Sequence, residues 1–152
     1  MTTCRESTQF TLRPAFLNDI EFIYELRSRT MKPFLECTLG WNEAKEREKA
    51  ADELAHAEII MVGQSRVGVL KVIPRTDELH LHQMQILPEF QKMGIGAELV
   101  QHIIIRSEKS RKPITLFVMK NTPAKKLYEQ FGFMVSHDFE HNCKMCRYPN
   151  KD

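Results

Sequence analysis

The spacing of apolar residues near the N-terminus predicts a short strand followed by a helix. The strand is the run Phe10–Pro14, and the helix after it carries an apolar stripe at helical spacing. Asn18 and Glu21 have the residue types and spacing of a capping box, so the helix is expected to start near Asp19. Pro33 is unfavourable inside a helix and predicts its end.

A second helix and three strands are predicted next. Trp41 and Asn42 precede a segment rich in Glu, Lys and Ala, which predicts a largely exposed helix from Glu43 to Ala57. The pattern then becomes extended, with β-branched or alternating residues between turn-like segments. These runs predict three antiparallel strands in a meander: Glu58–Val62, Val67–Ile73 and Glu78–Ile86.

Helical spacing returns after Pro88 and lasts until Pro113. The remaining elements are predicted as a strand, a short helix and a hairpin: Ile114–Met119, Pro123 to Gly132, and Phe133–Phe139 with Cys143–Tyr148. A strand, a helix and a further strand in the middle of the chain allow one parallel pair. The order predicts an α/β fold in which a mixed, mostly antiparallel sheet is flanked by helices.

The composition fits one globular domain over residues 1–152. Hydrophobic residues make up 42% and charged residues 28% of the chain, which is ordinary globular usage. The formal net charge of +2 is too small to predict a nucleic-acid partner. No apolar run approaches the roughly 20 residues of a membrane span, and the first residues lack the apolar stretch of a signal peptide. We therefore expect a cytoplasmic protein that binds neither nucleic acid nor membrane.

The cysteines are expected to be free thiols, because the chain is not a small secreted protein that needs disulfides. They are Cys4, Cys37, Cys143 and Cys146. Cys143 and Cys146, with His137 and His141 nearby, suggest zinc as an alternative. A second close pair is missing, however, and positions three apart on a strand point to opposite faces. We predict no metal.

The segment most informative about chemistry joins the strand ending at Ile86 to the next helix. Gly94 and Gly96 stand where that helix begins, so unpaired backbone amides converge with the positive end of the helix dipole. This arrangement suits a phosphate or pyrophosphate, and Lys92 can add a charge. A tight strand-to-helix turn alone also explains the glycines. The segment lacks the third glycine of a dinucleotide fingerprint.

Two motifs resemble those of the GNAT superfamily of acetyl-CoA-dependent N-acetyltransferases. Gln91-x-x-Gly94-x-Gly96 is similar to the superfamily's pyrophosphate loop, with glutamine where arginine is commoner. The second motif is Asn121-x-x-Ala124-x-x-Leu127-Tyr128-x-x-Phe131-Gly132-Phe133. The two motifs in this order are more specific than either alone. The resemblance covers nearly the whole chain and implies the GNAT, or acyl-CoA N-acyltransferase, fold.

The resemblance also implies that acetyl-CoA is the cosubstrate and which residues bind it. The strand end would pair with the pantetheine arm, and the loop amides would hold the pyrophosphate. Asn121 would bond the pantetheine or the adjacent backbone, and Tyr128 would lie near the CoA sulfur. The implied cofactor-binding residues are Met84, Gln85, Ile86, Gln91, Lys92, Met93, Gly94, Ile95, Gly96, Ala97, Asn121 and Tyr128.

Three residues are candidates for catalysis. Aminolysis of a thioester requires a neutral amine, a stabilised oxyanion and a proton for the departing thiolate. Tyr128 beside the sulfur can supply that proton, although a tyrosine here can also simply pack on its helix face. His80 and His82 point to one face of their predicted strand and titrate in the range that suits a general base. Their positions resemble a histidine pair of arylalkylamine N-acetyltransferases. Two half-exposed strand histidines and Glu78 as base are the alternatives.

The expected reaction is transfer of the acetyl group from acetyl-CoA to a primary amine of a small molecule, by direct attack in a ternary complex. Ribosomal N-terminal acetyltransferases often carry a glutamate where this chain has Leu116, which disfavours a ribosomal-protein substrate. The alternatives are a protein lysine or N-terminal acetyltransferase, and a CoA-binding sensor or interaction module without acetyl transfer.

The acceptor amine is not identified by these residues. Substrate choice is expected from the segment Arg27–Trp41, where apolar side chains either line a pocket or form a small core: Met31, Phe34, Leu35 and Trp41. The edge of the C-terminal hairpin makes a homodimer possible.

Overall fold

The structure is a computed structural model and describes residues 9–150. The predicted free thiol of Cys4 lies outside these residues. The helices and strands are β1 (Thr11–Pro14), α1 (Ile20–Glu36), α2 (Glu43–Ala51), β2 (Ala57–Val62), β3 (Ser65–Pro74), β4 (Leu79–Ile86), α3 (Ile95–Ser110), β5 (Ile114–Met119), α4 (Pro123–Gln130), β6 (Met134–Asp138) and β7 (Asn142–Arg147). The predicted order of elements is confirmed. No helix within residues 9–150 is long and apolar enough to cross a membrane.

All seven strands form one sheet in the order β1-β2-β3-β4-β5-β7-β6. Every neighbouring pair is antiparallel except β4 and β5, which are parallel because α3 connects them. The predicted α/β fold, with a mixed and mostly antiparallel sheet flanked by helices, is confirmed.

Each face of the sheet carries a different pair of helices. α1 and α2 cover one face, and the apolar core between them and the sheet includes Ile23, Leu26, Ala50, Ile59 and Val69. α3 and α4 cover the other face, and the larger core there includes Leu81, Leu99, Ile103, Leu116 and Tyr128. The α1/α2 face is left open at the β5-β7-β6 end, where Phe117 and all of β6 are exposed. We call this region the open face.

A β-bulge in β4 marks the point where β4 and β5 separate. Val72 of β3 pairs with Leu81, but Lys71 pairs with Gln83, so His82 is an extra residue on β4. The parallel pairing of β4 with β5 stops at Leu81, directly before this residue. Because a bulge bends and twists its strand, it accounts for a cleft between the second half of β4 and the end of β5. The sequence pattern did not predict the bulge.

The predicted capping box at the start of α1 is wrong. Asp19, rather than Asn18, organises this turn, because its Oδ2 accepts a hydrogen bond of 2.8 Å from the amide of Phe16. Glu21 does not reach back to the helix start; it pairs instead with Arg47 of α2, with an N–O distance of 2.8 Å. A tertiary ion pair therefore takes the place of the local cap.

The predicted end of α1 at Pro33 is also wrong, because the helix continues to Glu36. A proline in a helix removes one hydrogen bond to the carbonyl four residues earlier. Here the last turn is held by the buried side chain of Leu35 and by a hydrogen bond of 3.1 Å from the amide of Thr38 to its carbonyl. Burial therefore outweighs the local effect of the proline.

α2 starts as predicted behind Asn42, but it ends at Ala51 instead of Ala57. The cause is Lys71 of β3, which is fully buried beneath the end of the helix. Its Nζ donates hydrogen bonds to three backbone carbonyls that follow one another closely in the chain: those of Lys49, Ala50 and Asp52. The Lys71 ammonium therefore fixes where α2 stops, a position that local composition did not indicate.

Candidate active site

The loop between β4 and α3 has the geometry of an anion cradle. Lys92 and Gly94 both have left-handed backbone, with φ of 66° and 86°. These two residues turn the chain into α3, whose first backbone bond runs 3.1 Å from the amide of Glu98 to the carbonyl of Gly94. The preceding helical amides have no acceptor within the helix. They belong to Ile95, Gly96 and Ala97, three of the six residues, Lys92 to Ala97, whose amides the resemblance implies for the pyrophosphate.

The second half of β4 directs backbone groups toward the cleft. The amide of Leu87 donates to the carbonyl oxygen of Val67 at 2.8 Å, so the backbone groups of Leu87 face β3. Because backbone groups alternate in direction along an antiparallel strand, those of Gln85 face β3, whereas those of Met84 and Ile86 face away from it. They are therefore oriented as required for pairing with an extended ligand.

Two predicted loop residues are placed differently from their neighbours. Gln91 lies with its Nε2 2.9 Å from the carbonyl oxygen of Ile86, so its side chain occupies part of the cleft edge. Met93 is exposed on the loop. Asn121 is also exposed, in the turn between β5 and α4. Ligand contacts for these three side chains stay predictions.

Tyr128 lies on α4, which packs beside the loop. A Cβ placed on Gly96 would lie 3.5 Å from a methyl carbon of Leu127, so α4 touches the first turn of α3. The ring of Tyr128 is buried with its centroid 5.4 Å from that of Phe133, and burial raises the pKa of its phenol. Every fully buried side-chain nitrogen or oxygen in residues 9–150 has a hydrogen-bond partner. Since the Tyr128 hydroxyl has no partner among those residues, its oxygen is not completely enclosed.

His80 is buried against β5. Its Nδ1 lies 2.9 Å from Thr115 Oγ1, and the Thr115 hydroxyl donates to a carboxylate oxygen of Glu78. Burial lowers the pKa of His80 to about 4, and the nearby charges of Arg75 and Lys144 act in the same direction. His80 is therefore neutral at pH 7.

His82 is close to His80 but has different surroundings. Their ring centroids are 5.8 Å apart, which confirms that both histidines lie on one face. His82 is the bulge residue and is partly exposed, with Nε2 3.1 Å from Oδ2 of Asp52 after the end of α2. Of the two histidines, His82 is the one that has a carboxylate partner and access to solvent.

Sequence reasoning missed three residues of this site: Lys71, Asp52 and Thr115. Lys71 could have been noticed in the sequence, because it is the one charged residue in the apolar run Val67–Ile73. No sequence pattern indicates Asp52 and Thr115, because their histidine partners are 30 and 35 residues away in the chain.

The predicted substrate segment divides between core and surface. Leu35 is buried, and the ring centroid of Trp41 lies 6.3 Å from that of Tyr24.

On the open face, the Phe117 centroid lies 6.0 Å from that of His80 and 6.5 Å from that of Phe139. An accessible row of aromatic rings thus leads away from His80.

The predicted arrangement of the C-terminal cysteines is found. Cys143 is buried in the core, whereas Cys146 is partly exposed and contacts Ser136 at 3.5 Å on the other face of β7. Cys37, Cys143 and Cys146 are free thiols. No group of three metal-ligating side chains occurs within residues 9–150.

Comparison with known proteins identifies related folds. The family model for an acetyltransferase (GNAT) domain matches residues 36–147. No curated protein matches the chain. The structure resembles PaiA N-acetyltransferase from Thermoplasma acidophilum in complex with coenzyme A, with a TM-score of 0.73, 16% identity, and coverage of 92% of this chain and 99% of that one. It also resembles the ribosomal-protein-S18-alanine N-acetyltransferase from Escherichia coli, with a TM-score of 0.65, 19% identity and 91% of each chain covered.

Proposed function

The chain belongs to the GNAT acetyltransferase family, and from this membership we propose that it transfers the acetyl group of acetyl-CoA to a primary amine of a small molecule, by direct attack in a ternary complex. The observation that carries the proposal is the cleft between β4 and β5, where the backbone groups of Met84 and Ile86 that face away from β3 meet the amides at the start of α3. An extended arm that ends in a pyrophosphate fits this combination.

Acetyl-CoA supplies an activated acetyl thioester, and the protein supplies positions for protons. His82, paired with Asp52, takes the proton that the amine loses as the new C–N bond forms. The hydroxyl of Tyr128 donates a proton to the sulfur as the C–S bond breaks, and solvent restores both groups. The raised pKa of Tyr128 keeps its phenol protonated until that step. His80, which is neutral, accepts a hydrogen bond from the amine and orients it.

A small-molecule acceptor is supported by the accessible row of aromatic rings beside His80, which offers an apolar wall to a compact amine. Leu116, at the position where the resemblance would have placed a glutamate, is buried in the core, and its side chain can neither accept nor donate a proton. The cytoplasmic location, the homodimer and the single domain stay predictions.

The test is thiol release from acetyl-CoA across a panel of amines, with CoA binding measured in parallel. We expect Tyr128→Phe to bind CoA like the wild type and to lose turnover by about 100-fold, the contribution of a general acid. Tyr148→Phe changes an exposed tyrosine and is the matched control. CoA binding without thiol release from any amine would support a CoA-binding sensor instead. Unchanged turnover in Tyr128→Phe would remove Tyr128 as the acid.

A further inference from the structure

A polar relay connects three side chains beside the proposed acceptor site: Glu78, Thr115 and His80. We propose that Glu78 and Thr115 are positioning residues that hold His80 as the tautomer protonated on Nδ1, and so leave Nε2 as the hydrogen-bond acceptor for the substrate amine. The part of this inference that concerns the amine rests on the proposed function. The part that concerns the tautomer does not.

The direction of the relay follows from counting protons. A threonine hydroxyl has one proton to donate, and an ionised carboxylate can only accept. The second carboxylate oxygen of Glu78 lies 3.7 Å from the guanidinium of Arg75, so it faces a cation and not the Thr115 hydroxyl. The Thr115 proton is therefore committed to Glu78, and the Thr115 oxygen can only accept from His80. Nδ1 must then carry hydrogen.

Charge around the ring keeps His80 from carrying a second proton. The charged groups that act on it are Arg75, Lys144, His82 and Glu78, of which only Glu78 is acidic. Burial adds a larger penalty on the imidazolium than any of these. A neutral imidazole with hydrogen on Nδ1 has its lone pair on Nε2.

Nε2 of His80 is open to a ligand. It has no hydrogen-bond partner within residues 9–150, and no fully buried side-chain nitrogen in that range lacks one. The atom is therefore accessible although most of the side chain is buried. The neighbouring ring of Phe117, with its centroid 6.0 Å from that of His80, is exposed on the open face.

An accepting Nε2 gives the acceptor amine a defined orientation. One N–H of a neutral amine donates to Nε2, which directs the amine lone pair away from the ring. The opposite tautomer would present an N–H at the same place, and that N–H would compete for the lone pair needed for attack. Glu78 and Thr115 thus act on the reaction through His80, without contact to the substrate.

The tautomer is measured directly by nitrogen-15 NMR of the imidazole, with the His80 signal assigned by its loss in His80→Gln. We expect hydrogen on Nδ1 in the wild type and in Thr115→Ser, which keeps the hydroxyl. Thr115→Val has nearly the same shape but no hydroxyl, and we expect the Nε2-protonated form to appear. Hydrogen on Nε2 in the wild type, or an unchanged tautomer in Thr115→Val, would overturn the proposal.

Kinetics test the consequence for the amine. We expect Thr115→Val to lower kcat by about tenfold, as for the loss of one orienting hydrogen bond, with unchanged CoA binding and recovery in Thr115→Ser. If Thr115→Val does not fold, Glu78→Ala replaces it, because it releases the Thr115 proton from the carboxylate. Unchanged kcat together with a changed tautomer would overturn the positioning role. A wild type that consumes no acetyl-CoA but has the expected tautomer would contradict the proposed function and leave the relay supported.

Discussion

At the scale of single residues, two histidines on one strand differ in every property that matters for proton transfer. His80 is buried and hydrogen-bonded to a neutral hydroxyl, whereas His82 is partly exposed and paired with a carboxylate. Strand periodicity correctly predicted that both lie on one face. It could not predict their difference, because Thr115 and Asp52 are contributed by other elements. A sequence motif thus located the pair, and only tertiary contacts distinguish the surroundings of the two histidines.

The low pKa of His80 predicts a loss of stability in acid. The unfolded chain takes up a proton on this residue near pH 6.5, but the folded protein does so only near pH 4. As the pH falls from 6.5 to 4, the unfolded state therefore binds more protons, and the free energy of unfolding decreases by at most about 3 kcal/mol. We expect the unfolding free energy of His80→Gln to lack this decrease between pH 6.5 and 4.

Urea unfolding of both proteins at several pH values between 7 and 4 measures the effect. The difference in unfolding free energy between wild type and His80→Gln should shrink as the pH falls. His102→Gln is the control, because His102 is exposed on α3 and should leave the pH dependence of the wild type intact. Parallel curves for wild type and His80→Gln would contradict the prediction.

At the scale of elements, the α1–α2 pair is where local sequence signals failed. Their ends depend on Leu35, which carries α1 beyond Pro33, and on Lys71, which stops α2 at Ala51. α1 and α2 are further joined by the buried ion pair of Arg27 and Glu46, with an N–O distance of 2.6 Å. Contacts between elements therefore set the boundaries of both helices.

Lys71 gives a testable prediction at this scale. Lys71→Met removes the donor for three backbone carbonyls at the end of α2, and we expect it to lower the free energy of unfolding at pH 7 by about 1 to 3 kcal/mol. Burial lowers the pKa of Lys71 to about 8, with Arg27 adding to the shift. Between pH 8 and the ordinary lysine value the unfolded chain binds more protons, so the wild type gains stability relative to Lys71→Met as the pH rises.

Denaturant unfolding from pH 7 to pH 10 follows this difference. Lys45→Met, which changes an exposed lysine on α2, is the matched control. Its unfolding free energy should remain close to that of the wild type throughout. We expect the unfolding free energy of the wild type to rise relative to that of Lys71→Met as the pH increases. The opposite trend would show that burial does not lower the pKa of Lys71.

At the scale of the whole molecule, the sequence predicted the sheet and the glycine loop better than the ends of α1 and α2. The strand Ile114–Met119 and the glycine loop were predicted because their signals are local: an apolar run before a proline-opened helix, and glycines at a helix start. The resemblance implied that the end of β4 pairs with the pantetheine arm, but no local signal predicts the cleft between β4 and β5. Its physical cause, an extra residue at His82, is invisible in the pattern because bulges arise from pairing with a neighbouring strand.

The proposed ligand site and the stability of the whole fold are coupled. CoA that binds only the folded protein should raise the free energy of unfolding by about 2.7 kcal/mol at 100 times its Kd. Gly94 has φ of 86°, so Gly94→Ala should lower stability by about 1 to 2 kcal/mol without CoA and distort the amide cradle. We expect Gly94→Ala to lose most of the CoA-dependent gain in unfolding free energy.

Gly63→Ala is the matched control, because Gly63 also has left-handed backbone, with φ of 60°, but lies in the turn between β2 and β3. Thermal and urea unfolding with and without CoA compare the two variants. An equal CoA-dependent gain in both would mean that the cradle at the start of α3 does not hold the pyrophosphate.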